Sequence, residues 1–162
     1  MAFRVGLIGL GMAVTPHAKS LADLRDRVEV VYAYSPSAER RTKFKQRFPF
    51  PQAERLETIL EDRSVDAALV LTPPNTHLEL VERCAAAGKH VLLEKPLEVS
   101  TESAERLVRA SRKRGIKLGV VLQHRFRPAA EKLNEKLTAS DHPLATRASA
   151  GVSNYRVRPT AG

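Results

Sequence analysis

The 162-residue chain reads as an α/β protein, a doubly wound parallel sheet of Rossmann type. Three observations lead there. Short apolar runs alternate with longer amphipathic ones over most of the length. The apolar runs are continuous, as in strands covered on both faces. A pair of glycines follows the first run and opens the first amphipathic segment.

The elements follow in order. Val5 to Ile8 is a buried strand, and Ala13 to Leu24 a helix. Val28 to Tyr34 is a second strand, ended by Ser35-Pro36. Ala38 to Phe48 is helical, with Glu and Lys or Arg at supportive spacing, and Pro49 to Pro51 breaks the chain. Leu56 to Glu61 is a short helix, and Val65 to Leu71 an almost uninterrupted apolar strand ending at Thr72-Pro73-Pro74. Asn75 is expected to cap a helix to Ala87, with Gly88 as its stop. His90 to Leu93 is the next strand, closed by Glu94-Lys95-Pro96. Ser100 or Thr101 caps a helix to Arg114, Gly115 stops it, and Lys117 to Leu122 is another strand. A last helix, about Pro128 to Leu137, precedes a weakly alternating stretch, Leu144 to Tyr155, expected to be a strand. Right-handed crossovers between such strands place a ligand at their carboxyl ends, and every motif considered below falls at such an end.

Composition narrows the function. Hydrophobic residues are 43% and charged residues 28%, ordinary values for a globular protein. The net charge is +9, but Lys and Arg are interspersed with Glu and Asp and aromatics are only 5%. Dispersed charge with few stacking rings argues for solvated helix faces and against a nucleic-acid partner. Cys84 is the single cysteine, so an intramolecular disulfide and a Cys-rich metal site are excluded; a small core residue in a reducing, cytoplasmic setting is expected. The five histidines are scattered, without the close spacing of zinc or iron ligands, and no metal is expected. The N-terminal apolar run is broken by glycines and lacks a cleavage pattern, so it reads as a strand and not a signal peptide. No run is long enough to span a membrane.

Gly9-Leu10-Gly11-Met12-Ala13-Val14 carries the first chemistry. Gly9 permits a tight turn, and Gly11 has no side chain to hold a pyrophosphate off the backbone. Met12 and Ala13 stand where the helix N-terminus presents amides and a positive dipole end to phosphates. Val14 replaces the third glycine of the usual pattern, which serves helix–strand packing. Where an NAD site has an acidic residue for the ribose 2′-hydroxyl, this chain has Ser35. Its hydroxyl can donate to a 2′-phosphate, with Arg40 and Arg41 a turn beyond. The expected cofactor is therefore NADP or NAD, with a lean to NADP; the competing reading leaves both arginines facing solvent.

With Thr72-Pro73-Pro74-Asn75-Thr76-His77, Gly88-Lys89-His90-Val91 and Glu94-Lys95-Pro96, the sequence resembles the Gfo/Idh/MocA oxidoreductases, the glucose–fructose oxidoreductase and inositol dehydrogenase family. The resemblance runs from about Phe3 to Phe126. It implies that Lys95 is the catalytic residue, assisting proton transfer beside the nicotinamide, with Glu94 orienting cofactor or lysine and Pro96 following a cis bond. It implies that Thr72, Pro73 and Asn75 line the cofactor riboses and that Gln123 reaches the nicotinamide side. His77 matches a family histidine, as a cofactor neighbour or as a packing residue. His17 is expected to be structural.

The family continues into a second α/β domain that binds substrate. Residues 1–123 are accordingly read as the NAD(P)-binding domain, and 124–162 as a crossing helix and first strand of an incomplete substrate and oligomerisation domain. The implied activity is oxidation or reduction at the CH–OH group of a sugar, inositol or related polyol, in a homo-oligomer where the second domain is complete. The alternatives are a non-catalytic NAD(P)-binding regulatory module or an inactive fragment. For this chain alone, cofactor binding without efficient turnover is expected.

Overall fold

The computed structural model describes residues 2–138, which fall in two compact units, one ending at Val121 and the other beginning at Leu122. In the first unit six strands form one parallel sheet: β1 (Phe3–Ile8), β2 (Val28–Tyr34), β3 (Gln52–Ala53), β4 (Ala67–Val70), β5 (His90–Leu93) and β6 (Leu118–Val120), in the order β3-β2-β1-β4-β5-β6. The doubly wound reading holds. The order reverses between β1 and β4, which are direct neighbours, and the crevice at that switch point is where such sheets take ligands.

The helices divide between the faces as the side-chain alternation requires. On one face α1 (Val14–Asp23) and α2 (Ala38–Arg47) contribute Val14, Ala18 and Phe44 to a core with Leu7, Ala33 and Leu69. On the other, α3 (Leu56–Glu61), α4 (His77–Ala86) and α5 (Thr101–Lys113) bring Ile59, Val81, Cys84 and Leu107 against Ile8, Val70 and Leu93. Ala67 and Leu69 point to the first core and Ala68 and Val70 to the second, so β4 is apolar on both sides and reads as a continuous run. Cys84 is fully buried, and burial pushes its thiol up to about 12, the state of a packing residue and not of a nucleophile.

Local chemistry sets the boundaries. Ser37 caps α2 by accepting from the Arg40 amide, and Ser100 caps α5 by accepting from the Ser103 amide. Gly88 and Gly115, both at positive φ, follow α4 and α5 as stops. One capping expectation is corrected. Asn75 is not an N-cap: Pro74–Thr76 forms a 3-10 turn, α4 starts at His77, and the Leu78 amide donates to Glu98 from the β5–α5 connection. Pro74 opens the tighter turn, and the distant Glu98 carboxylate takes the role assigned to the local Asn75 carboxamide. The two-residue β3 is the other addition, pairing with the end of β2 just past the proline break. β4 and β6 are shorter than expected at both ends.

The Gly88-Lys89-His90 segment has a structural basis. Lys89 is buried, and its ammonium donates to the carbonyls of Asp62 at 2.6 Å and Val65 at 2.9 Å. It fixes the turn that leads from α3 into β4.

The second unit, in its described part, consists of a 3-10 turn at Gln123–Phe126 and α6 (Pro128–Thr138). The strand expected at Leu144 to Tyr155 lies outside the described residues. Among the described residues, no helix is long and apolar enough to cross a membrane.

Candidate functional site

The loop leaving β1 is shaped by two glycines with different tasks. Gly9 has φ +104°, and a Cβ there would lie 2.9 Å from the Leu71 carbonyl carbon and 2.9 Å from Thr72 Cγ2. The chain must turn in a conformation open chiefly to glycine, pressed against the end of β4. Gly11 is not at positive φ, and a Cβ built on it meets nothing within 4 Å. No packing within the protein demands a glycine there. The empty space above it is the space a ligand would need.

That space opens into a cavity of about 640 Å³ at the carboxyl ends of β1, β2 and β4. Of the residues expected from the sequence, Gly9, Gly11, Met12, Ala13, Ser35, Arg40, Thr72 and Pro73 line it together. Leu56 and Leu80 add an apolar wall, as a flat aromatic base requires. Helix α1 has Ala13 at its N-cap and no capping side chain, whereas α2 and α5 carry serine caps. The first-turn amides and dipole of α1 are thus left without a side-chain acceptor at the cavity floor, the arrangement that suits a phosphate.

The end of β2 differs in detail from the sequence reading. Ser35 lines the cavity but is 2% exposed, and its Oγ accepts from the Ser37 amide at 3.3 Å. Arg41 turns away and donates to the Ser35 carbonyl at 2.7 Å. Arg40 remains as the exposed cation on the wall near the end of β2.

Thr76, Glu79 and Arg83 are among the lining residues that were not anticipated. The Thr76 hydroxyl donates to the Pro73 carbonyl at 2.8 Å and accepts from the Thr72 hydroxyl at 2.7 Å, bracing the β4 loop. Arg83 pairs with Glu57 at 2.6 Å across two helices. The Glu57 backbone amide, and after it the Arg83 guanidinium, hold the Glu57 carboxyl below its ordinary range.

His77 is packed inside the protein. It is fully buried, with Nε2 2.9 Å from the Thr72 carbonyl and Nδ1 3.1 Å from the Leu97 carbonyl. It does not line the cavity; it fastens the β4 loop to the segment following Pro96. Asn75 is exposed in its 3-10 turn and is not among the lining residues.

A second cluster stands at the end of β5. The Lys95–Pro96 bond is cis. Glu94 is largely buried: its Oε1 lies 3.0 Å from His17 Nε2 on α1, and its Oε2 accepts the Lys95 amide at 2.7 Å. The Lys95 side chain is exposed, and among the described residues its ammonium enters no ion pair. Gln123 belongs to the second unit, in the 3-10 turn and not at a strand end.

Comparison with known proteins identifies the family. The model of the Gfo/Idh/MocA oxidoreductase family, NAD-binding Rossmann fold, matches residues 3–122. The chain is 37% identical over 134 residues to a myo-inositol 2-dehydrogenase of Thermotoga maritima, covering 82% of this chain and 40% of that protein. It is 34% identical over 126 residues to an NADP-dependent scyllo-inositol 2-dehydrogenase of Bacillus subtilis, covering 76% and 34%. Among solved structures it resembles a 3-ketoreductase from Actinomadura kijaniata in complex with NADP and TDP-benzene, with a TM-score of 0.76, 32% identity and coverage of 86% and 43%. It also resembles the WlbA dehydrogenase from Bordetella pertussis in complex with NADH and UDP-GlcNAcA, with a TM-score of 0.81, 27% identity and coverage of 86% and 42%. The chain spans about two fifths of the length of the relatives it matches. It belongs to the Gfo/Idh/MocA family of NAD(P)-binding oxidoreductases.

Proposed function

We propose that this member of the family supplies the dinucleotide seat and the proton-transfer lysine of a dehydrogenase acting on the CH–OH group of a sugar, inositol or related polyol. The observation that carries the reading is the open volume over Gly11, joined to an uncapped α1 and continuous with the cavity. Gly9 and Gly11 make the floor for the pyrophosphate, and the amides at Met12 and Ala13 receive its oxygens. Leu56 and Leu80 flank the base, while Thr72 and Pro73 border the ribose.

A dinucleotide held by Gly9, Gly11, Met12 and Ala13 would supply hydride-transfer chemistry at the carbinol carbon. Lys95 Nζ takes the hydroxyl proton in the oxidising direction and gives it back in the reducing one. Glu94 sets the backbone from which the lysine projects, through its bond to the Lys95 amide. The inositol dehydrogenases among the relatives support a polyol substrate, and the neighbour in complex with UDP-GlcNAcA supports a sugar. The buried thiol of Cys84 suits a reducing, cytoplasmic setting, which the proposal includes.

The reading leans toward NADP, because no carboxylate stands at the end of β2 and Arg40 is the exposed cation there. Calorimetric titration of NADPH and NADH against the chain and its Arg40→Ala variant tests both parts. NADPH is expected to bind more tightly, and the variant to weaken NADPH about five-fold more than NADH, the worth of one exposed charge contact. Absence of binding by either dinucleotide would overturn the functional reading. Equal binding of the two by the unmodified chain would overturn the lean to NADP.

A further inference from the structure

We propose that His17 is a positioning residue for Lys95, acting by holding the Glu94 carboxylate away from the lysine ammonium; this rests on reading Lys95 as the proton acceptor. The argument starts from the two oxygens of Glu94. Oε1 is 3.0 Å from His17 Nε2 and Oε2 takes the Lys95 backbone amide at 2.7 Å. Both are engaged by groups other than Lys95 Nζ. The pair is sheltered, with the His17 and Glu94 side chains 17% and 14% exposed.

A carboxylate one residue from an exposed lysine has a cation within easy reach. Contact between them would favour the charged, non-accepting form of the amine, the wrong state for taking a proton from a hydroxyl. His17 removes that contact by occupying Oε1 and fixing the direction in which Glu94 points. It does so from α1, whose N-terminus floors the cavity, so seat and lysine are joined through one side-chain pair spanning 77 positions in sequence. His17 does not line the cavity, and its effect on the chemistry runs through Glu94.

The test is the acetylation rate of Lys95 by acetic anhydride at neutral pH, read by peptide mass spectrometry with exposed lysines such as Lys43 and Lys113 as references. His17→Leu is expected to slow Lys95 about three- to ten-fold relative to those lysines, because the freed carboxylate pairs with the ammonium. His17→Gln, which keeps an N–H donor, stays near the unmodified rate. In a Glu94→Gln background His17→Leu has no effect beyond about two-fold, since no carboxylate is left to release. An unchanged rate in His17→Leu, or equal slowing in the Glu94→Gln background, would overturn the proposal. Should His17→Leu not fold, Glu94→Gln alone decides: a Lys95 rate near that of the unmodified chain supports the proposal, and a marked acceleration overturns it by showing that Glu94 already contacts the ammonium. No dinucleotide enters this assay, so its failure is distinguishable from failure of NADPH to bind.

Discussion

The carboxyl ends of β1 and β5 lie on either side of β4 and are built by opposite means. The end of β1 is made of backbone and of space: a left-handed glycine, an open position at Gly11, and a helix without a cap. The end of β5 is made of side chains, with His17, Glu94 and the Lys95 amide in one chain of contacts. On the proposed reading, the first holds a ligand by what has been removed, and the second directs one reactive group by occupying its neighbours. Substitutions should therefore act differently at the two ends.

Gly9→Ala should have the largest effect on the fold. The added Cβ would be strained at φ +104° and crowd the Leu71 backbone, so unfolding by urea should show a loss of at least about 2 kcal/mol. Glu94→Gln should cost less, about 1 kcal/mol, because the amide keeps an acceptor for one of the two donors it faces. A loss larger than that of Gly9→Ala would reverse the comparison. Lys95→Ala should be the mildest in the same measurement, within about 0.5 kcal/mol, as its side chain is exposed and its ammonium enters no ion pair among the described residues. A substantial loss there would mean that Lys95 supports the fold and is not held free for chemistry.

The two ends also differed in how plainly the sequence announced them. The glycine spacing at β1 has a direct mechanical meaning, and the alternation of apolar runs with amphipathic ones located β2, β5, α2 and α3 to within one residue. Eight of the residues expected at the cofactor gather in one cavity because they sit just beyond the ends of neighbouring parallel strands, Arg40 in the first turn of α2. What stayed hidden depends on contacts far apart in sequence. Nothing local marks Glu98 as the acceptor for the start of α4, or Glu57 as the partner of Arg83. The 3.6-residue period of α4 does not say that Glu79 and Arg83 face the cavity. β3, at two residues and on the sheet edge, is too short for any periodicity. The contact between His17 and Glu94 was hidden because the two are 77 positions apart, and the near-complete burial of Ser35 at a strand end cannot be read from composition.

The most direct test of the central claim, that the void over Gly11 is the seat of a dinucleotide, is calorimetric titration of NADPH into the chain and its Gly11→Ala variant, with urea unfolding of both. The added methyl fits the protein, since nothing lies within 4 Å, so stability should be unchanged to within about 0.5 kcal/mol. NADPH affinity should fall by at least about ten-fold, roughly 1.4 kcal/mol, because the methyl occupies the approach of the pyrophosphate. A variant equally stable that binds NADPH as tightly as the unmodified chain would contradict the claim.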